Sequence, residues 1–242
     1  MSDTGGADDA ADPADGADVP NVTVVERIED LPESLPAAAY VIVDVYRFST
    51  SVVALLEAGA TGVMPAGSPA AVREYKRSTP GAVVGGEPYQ SDPLFGLSNS
   101  PTEIADADVD GRPTCLYSEN GARAVGRVAD AGPVYVGTSW NLTAVADAVR
   151  DAPSVSVVAT GASGEVRYED TTVAYAIERS LLDGPLTGPR LETYRLAIEG
   201  INARHSTSGR DAADAGLLTE FDRSTVVPRL TDEGMLVAGP GE

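Results

Sequence analysis

Short apolar runs recur along this chain. Each empties into a polar, glycine- or hydroxyl-rich turn that leads into a helically spaced stretch. Tyr40–Val45 predicts a strand with Asp44 near its end. Arg47-Phe48-Ser49-Thr50-Ser51 and a helix over VVALLEAGA follow, stopped by Gly59. Thr61–Pro65 reads as the next strand, and SPAAVREYKR as a helix opened by Ser68. Ala82–Val84 runs into Gly85-Gly86-Glu87, and residues 88–104 read as a long loop rich in Pro, Ser, Asn and Gly. Thr114–Tyr117 and Val134–Val136 are strands, each handing over through a polar turn to a helix, ARAVGRVAD and LTAVADAVR. Val155–Thr160 is the most apolar strand, and Glu169-Asp170-Thr171 opens the helix TTVAYAIERSLL. Beyond residue 185 the pattern is less regular, with a last strand expected over Thr225–Pro228. Strand, polar loop and helix in alternation predict an α/β fold with a largely parallel sheet covered on both faces. In such sheets ligands bind at the carboxyl ends of the strands, where these polar turns fall.

Composition narrows the picture. The first 20 residues hold six aspartates and no base, and predict a disordered acidic tail ahead of a single domain over residues 21–242. Acids outnumber bases 37 to 17, a formal charge of −20 in a chain of 242 residues. That excludes a general nucleic-acid binder and electrostatic docking to anionic lipid. Lys76 is the one lysine against 16 arginines, which with the acidity reads as salt adaptation; an ordinary solubilising surface is the plainer alternative. No apolar stretch approaches the ~20 residues of a membrane span. The N-terminus lacks the basic and apolar regions of a secretory signal, so a cytoplasmic protein is expected. The lone Cys115, mid-strand, reads as core, and the lone His205 lies in a polar stretch, NARHSTSGR. The two suggest no triad and no thiolate metal site.

Chemistry must therefore be read from position rather than from acid count. Asp44, at a strand end, could bind a metal or attack as a nucleophile, with Arg47 and the first turn of the next helix seating an anion. Alternatively Ser49 or Thr50 caps the helix, and Asp44 merely pairs with Arg47. Glu87 is a magnesium-type ligand or an exposed turn residue. Asn99 and Ser100 in the long loop, and Asn120-Gly121 after a strand, are turn chemistry or ligand contacts. Ser139 and Asn141 read by default as helix caps. Gly161-Ala162-Ser163-Gly164 resembles a phosphate loop without its Lys-Ser/Thr. Glu169-Asp170 either favours a helix start or serves metal or acid–base chemistry.

Taken in order, DVYRFSTS from Asp44, GGE to Glu87, GLSNSP to Pro101, ENGARA from Glu119, VGTSWN to Asn141 and ATGASGEVRYED to Asp170 resemble the 2-phosphosulfolactate phosphatase (ComB-like) family. HSTSGRDAADAGLLTEFDRSTVVP is similar to its closing segment, so the resemblance spans about residues 38–237. It differs at Phe48, at Tyr117-Ser118-Glu119 and at Tyr168, where members of the family often carry smaller or hydroxyl residues. The resemblance implies a three-layer α/β/α fold and a magnesium-dependent phosphatase that turns 2-phosphosulfolactate, or a related phosphorylated hydroxy acid, into sulfolactate and phosphate, a step towards coenzyme M. On residues and resemblance together, Asp44, Arg47, Asn120 and Glu169 are the expected catalytic residues. Ser49, Thr50, Asn99, Ser100, Gly121, Ser139, Asn141, Gly161 and Gly164 are expected to bind substrate, and Asp44, Glu87 and Asp170 to hold Mg²⁺. The expected partner is a small anionic phosphoester, and a homodimer is compatible with the reading. The alternative is a non-catalytic anion-binding or regulatory protein that keeps the fold.

Overall fold

The computed structural model describes residues 19–87, 91–205 and 209–239. Most of the acidic segment at residues 1–20 and the side chain of His205 lie outside the described residues. Nine strands form one sheet: β1 (Asn21–Val25), β2 (Ala39–Val43), β3 (Gly62–Ala66), β4 (Val83–Gly86), β5 (Pro113–Tyr117), β6 (Val134–Gly137), β7 (Ser154–Ala159), β8 (Pro228–Leu230) and β9 (Leu236–Ala238). Their order across the sheet is β1-β7-β2-β6-β8-β9-β3-β5-β4.

The sheet has two parallel halves. β1, β7, β2 and β6 pair in parallel, and so do β3, β5 and β4. Between them sits the antiparallel hairpin β8–β9, which pairs antiparallel with β6 on one side and β3 on the other. Three antiparallel steps reverse direction, so the two halves run in opposite senses. This corrects the expected last strand at Thr225–Pro228. Two strands lie further on, turned by Gly234 at φ 76°, and Thr231 N–H donates to the Met235 carbonyl at 2.8 Å. Charged Arg229, Asp232 and Glu233 break up any apolar run there, so the hairpin leaves little periodic signal.

Helices cover both faces. α1 (Phe48–Glu57) and α4 (Gly121–Val128) pack on one; α5 (Leu142–Val149) and α6 (Tyr168–Asp183) pack on the other, with α7 (Gly188–His205) against α6. α2 (Pro69–Ser78) covers the β3–β5–β4 half opposite α1, around Val72 and Cys115. Burial pushes the Cys115 thiol up to about 12, which suits a core residue and not a nucleophile. β2 shows the strand period plainly: Tyr40 and Ile42 face α1 and α4, while Ala39, Val41 and Val43 face α5 and α6. Every residue of β2 is buried, as a central parallel strand requires.

The expected helices form with shifted ends. Ser68 caps α2 by accepting from Ala71 N–H at 3.2 Å, as its position suggested. α1 begins earlier than its apolar spacing indicated and takes in Phe48 to Ser51. The loop expected over residues 88–104 contains a short helix, α3 (Pro101–Ile104), capped by Ser100. α8 (Gly209–Leu217) packs against α3 and α7. No helix among the described residues is long and apolar enough to cross a membrane.

Candidate active site

Asp44 follows the last residue of β2 and is held from several sides. Its N–H donates to Ser49 Oγ at 2.9 Å, and its carbonyl accepts from Ser49 N–H at 2.8 Å. Ser49 Oγ in turn donates to the Ile42 carbonyl. Thr50 Oγ1 bonds the Val45 carbonyl and, at 2.7 Å, Thr138 Oγ1; Ser51 Oγ donates to the Asn99 carbonyl at 2.6 Å. All three hydroxyls are fully buried and spent on backbone or on Thr138. Ser49 and Thr50 therefore stand behind the site and fix its turn. The Asp44 carboxylate accepts from Phe48 N–H, the first residue of α1, at 3.2 Å through Oδ1. Oδ2 faces Ser118 Oγ at 3.5 Å.

Ser118 follows β5, and its Oγ also accepts from Gly121 N–H at 3.2 Å, the start of α4. The amino ends of α1 and α4, from opposite halves of the sheet, thus converge on one carboxylate. A Cβ on Gly121 would lie 2.3 Å from the Phe48 ring, so only glycine lets the two ends approach this closely.

Asp170, in the first turn of α6, is the second buried carboxylate. Oδ1 accepts from Val45 N–H at 2.8 Å and Oδ2 from Thr160 Oγ1 at 3.3 Å. Burial pushes Asp44 up to about 7, helped by the charges of Glu87 and Glu169 and opposed by the Phe48 and Gly121 amides. Burial likewise raises Asp170 well above the usual carboxylate range, with Asp44 and Glu169 adding to it. Glu87, at the end of β4, accepts from Glu119 N–H at 3.3 Å, and partial burial raises it too. Glu169 is half-buried beside Asp170.

This donor set can be tested against a cation. Among the described residues no three His, Cys, Asp or Glu side chains converge to cage a metal. Asp44, Glu87 and Asp170, grouped from the sequence, make no such cage. What the site offers is two buried carboxylates with no cationic partner among the described residues, and two more nearby. Mg²⁺ is typically bound through one or two carboxylates, with water and substrate phosphate completing its shell. The residues fit that ion.

Arg47 precedes α1 and does not pair with Asp44. It contacts Asp211, an exposed residue of α8, and its Nε lies 3.1 Å from Oδ2 of Asp214, which is fully buried. The guanidinium also lies over the Tyr46 ring, 4.5 Å from its centroid, and pulls Glu87 downward against its burial. The Tyr46–Arg47 peptide is cis. Asp214 accepts from Ser100 Oγ at 2.6 Å and from Thr102 N–H at 3.2 Å. Ser100 is thereby turned toward α8, while Asn99 stays close through the Ser51 bond.

The other expected residues divide. Asn120 immediately precedes α4, makes no side-chain capping hydrogen bond to it and is half-buried. Asn141 completes a capping box with Thr138 and donates to the Val136 and Val226 carbonyls, so its amide is spent as a cap. Ser139 is buried without a hydrogen bond to its Oγ. Gly161 and Gly164 shape a tight turn in which Ala162 pairs with Glu165 and Arg27 donates to the Gly164 carbonyl. A cavity of about 460 Å³, lined by Lys76, Val83, Leu97, Glu103 and Arg112 among others, lies at the β4 edge and includes none of these carboxylates.

Ser118, Thr160 and Asp214 were not among the expected site residues. Ser118 read as the start of a turn and Thr160 as the end of a strand. Asp214 had a usable signal: with Ala215 it occupies the buried face of α8, where an acid is out of place unless it is paired.

The model of the family described as 2-phosphosulpholactate phosphatase matches residues 25–225. A curated relative named "Probable 2-phosphosulfolactate phosphatase" from Thermoplasma acidophilum is 29% identical over 203 residues, 83% of this chain and 89% of the relative. One of the same name from Pseudothermotoga lettingae is 27% identical, across 83% of this chain and 92% of the relative. A third, from Symbiobacterium thermophilum, is 34% identical across 60% and 64%.

Proposed function

The chain belongs to the 2-phosphosulfolactate phosphatase family, and from that premise we propose that it hydrolyses 2-phosphosulfolactate, or a closely related phosphorylated hydroxy acid, to the free hydroxy acid and phosphate with the help of Mg²⁺. The observation that carries this reading is the pair of buried carboxylates, Asp44 and Asp170, at the meeting point of three helix starts, with Arg47 alongside.

Asp44 and Asp170 would hold the ion, with Glu87 and Glu169 reaching it through water. When bound, Mg²⁺ would neutralise charge on the phosphoryl group and orient the attacking oxygen. The chain's own residues do the rest. Arg47 binds an anionic group of the substrate, and the amide ends of α1 and α4 favour negative charge as it spreads in the transition state. Both oxygens of Asp44 are engaged, by Phe48 N–H and Ser118 Oγ, and the residue is 6% exposed. That suits a fixed ligand better than an attacking group, so water is the nucleophile. Glu169, half-buried beside the pair, would accept the proton of that water.

The test is phosphate release from a panel of small phosphoesters including 2-phosphosulfolactate, in molar KCl, with Mg²⁺ and with EDTA. Turnover of the phosphorylated hydroxy acids that EDTA abolishes is expected. A folded chain silent on the whole panel would refute the assignment and leave an anion-binding protein that retains the fold.

A further inference from the structure

Asp214 is a carboxylate with no access to solvent, on a helix that carries none of the groups used above. An ion in that position is costly unless it is compensated. Three groups compensate it, and one of them is Arg47. Oδ1 takes Ser100 Oγ at 2.6 Å and Thr102 N–H at 3.2 Å; Oδ2 lies 3.1 Å from Arg47 Nε. The Arg47 contact is one of charge rather than an aligned hydrogen bond, since neither Nε nor Oδ2 has a hydrogen-bond partner. The segment it grips is bolted to α1 as well, through Ser51 Oγ and the Asn99 carbonyl. Asp211, one turn earlier on α8, meets the same guanidinium but is 55% exposed and can be screened by salt.

We propose that Asp214 is a positioning residue: from inside α8 it sets the Arg47 guanidinium and the Ser98–Thr102 segment in one fixed relation, so that an anionic substrate meets a guanidinium already in place. A preset cation spares the substrate the cost of ordering it. The inference rests on the phosphatase reading for its substrate, but not for its structural content.

Asp214→Asn keeps an acceptor for Ser100 and Thr102 and removes the charge facing Arg47. In the chain as it stands, kcat/KM is expected to fall on the order of 100-fold, mostly through KM. In a cycle with Arg47→Lys the double variant should lose little more than either single one. A purely structural Asp214 would lower the melting temperature and give additive losses. The Arg47 Nε–H resonance, identified by its loss in Arg47→Lys, reads the same contact without turnover. It should move toward the position of exposed arginines in Asp214→Asn. Ser100→Ala, a milder change that removes one Oδ1 partner, should move it in the same direction if Asp214→Asn does not fold. An unmoved resonance together with additive losses overturns the proposal even in an active phosphatase. A moved resonance in a chain that turns over no phosphoester upholds it and refutes the substrate instead.

Discussion

At the scale of single residues, the site sets buried carboxylates together with no cationic partner among the described residues, an arrangement that disfavours their ionised forms. Asp44 is held up to about 7 against an ordinary 3.8, chiefly by burial, and Asp170 is raised as well. The sign follows directly. A carboxyl whose pKa is raised by folding binds its proton more tightly in the folded chain. Its stabilising contribution is full below the ordinary carboxylate range and is lost as pH rises through about 7. The metal-free chain should therefore melt at lower temperature as pH goes from about 5 to about 8. Asp44→Asn removes the buried charge and should flatten that slope, measured as the difference between the two melting curves so that general surface repulsion cancels. The same variant should lose activity on the order of 100-fold or more. A gain in stability coupled to a loss of function is the mark of a carboxylate kept for a ligand. If Asp44→Asn keeps the slope, the buried carboxyl is not what titrates.

At the scale of elements, the site depends on helix starts brought together across the sheet. Gly121 is where this can be tested. Gly121→Ala would put a methyl 2.3 Å from the ring of Phe48, which is itself 1% exposed and has nowhere to go. The expected cost is about 1–3 kcal/mol in denaturant unfolding. Phe48→Leu in the same chain should return most of it, because a smaller side chain frees the space. Elements also mark how far the sequence was legible. Asp44, Asp170 and Glu87 were readable because each ends an apolar run or opens a helix, and position at a sheet edge is a local property. The burial of Ser49 and Thr50 was not readable. A hydroxyl over a helix start can face a ligand or the backbone, and only the neighbouring strand decides which. The β8–β9 hairpin was missed for a related reason: strands of three residues owe their pairing to distant β6 and β3, not to their own pattern. Asp214 was missed because it acts from a helix far along the chain, and the meaning of a buried acid depends on what it faces.

At the scale of the whole molecule, charge sets the conditions under which all of this works. Bases number 17 and acids 37, so even complete pairing of every base leaves 20 negative charges uncompensated. Many of the ion pairs are exposed on both sides, such as Arg77–Glu74 and Arg123–Glu29. Such pairs contribute about 0–1 kcal/mol each. Salt weakens those pairs and the net self-repulsion together, and the repulsion is the larger sum. Screening shortens its range from about 10 Å at 0.1 M to about 3 Å at 1 M. The melting temperature should therefore climb with KCl across that interval; a fall would mean that the pairs outweigh the repulsion. The same field opposes the approach of an anionic phosphoester to the site. In Mg²⁺-saturated assays kcat/KM should consequently rise with KCl over the low-salt range, through KM rather than kcat. If added chloride instead raises KM from the start, competition for Arg47 outweighs long-range repulsion, and the local cation governs capture.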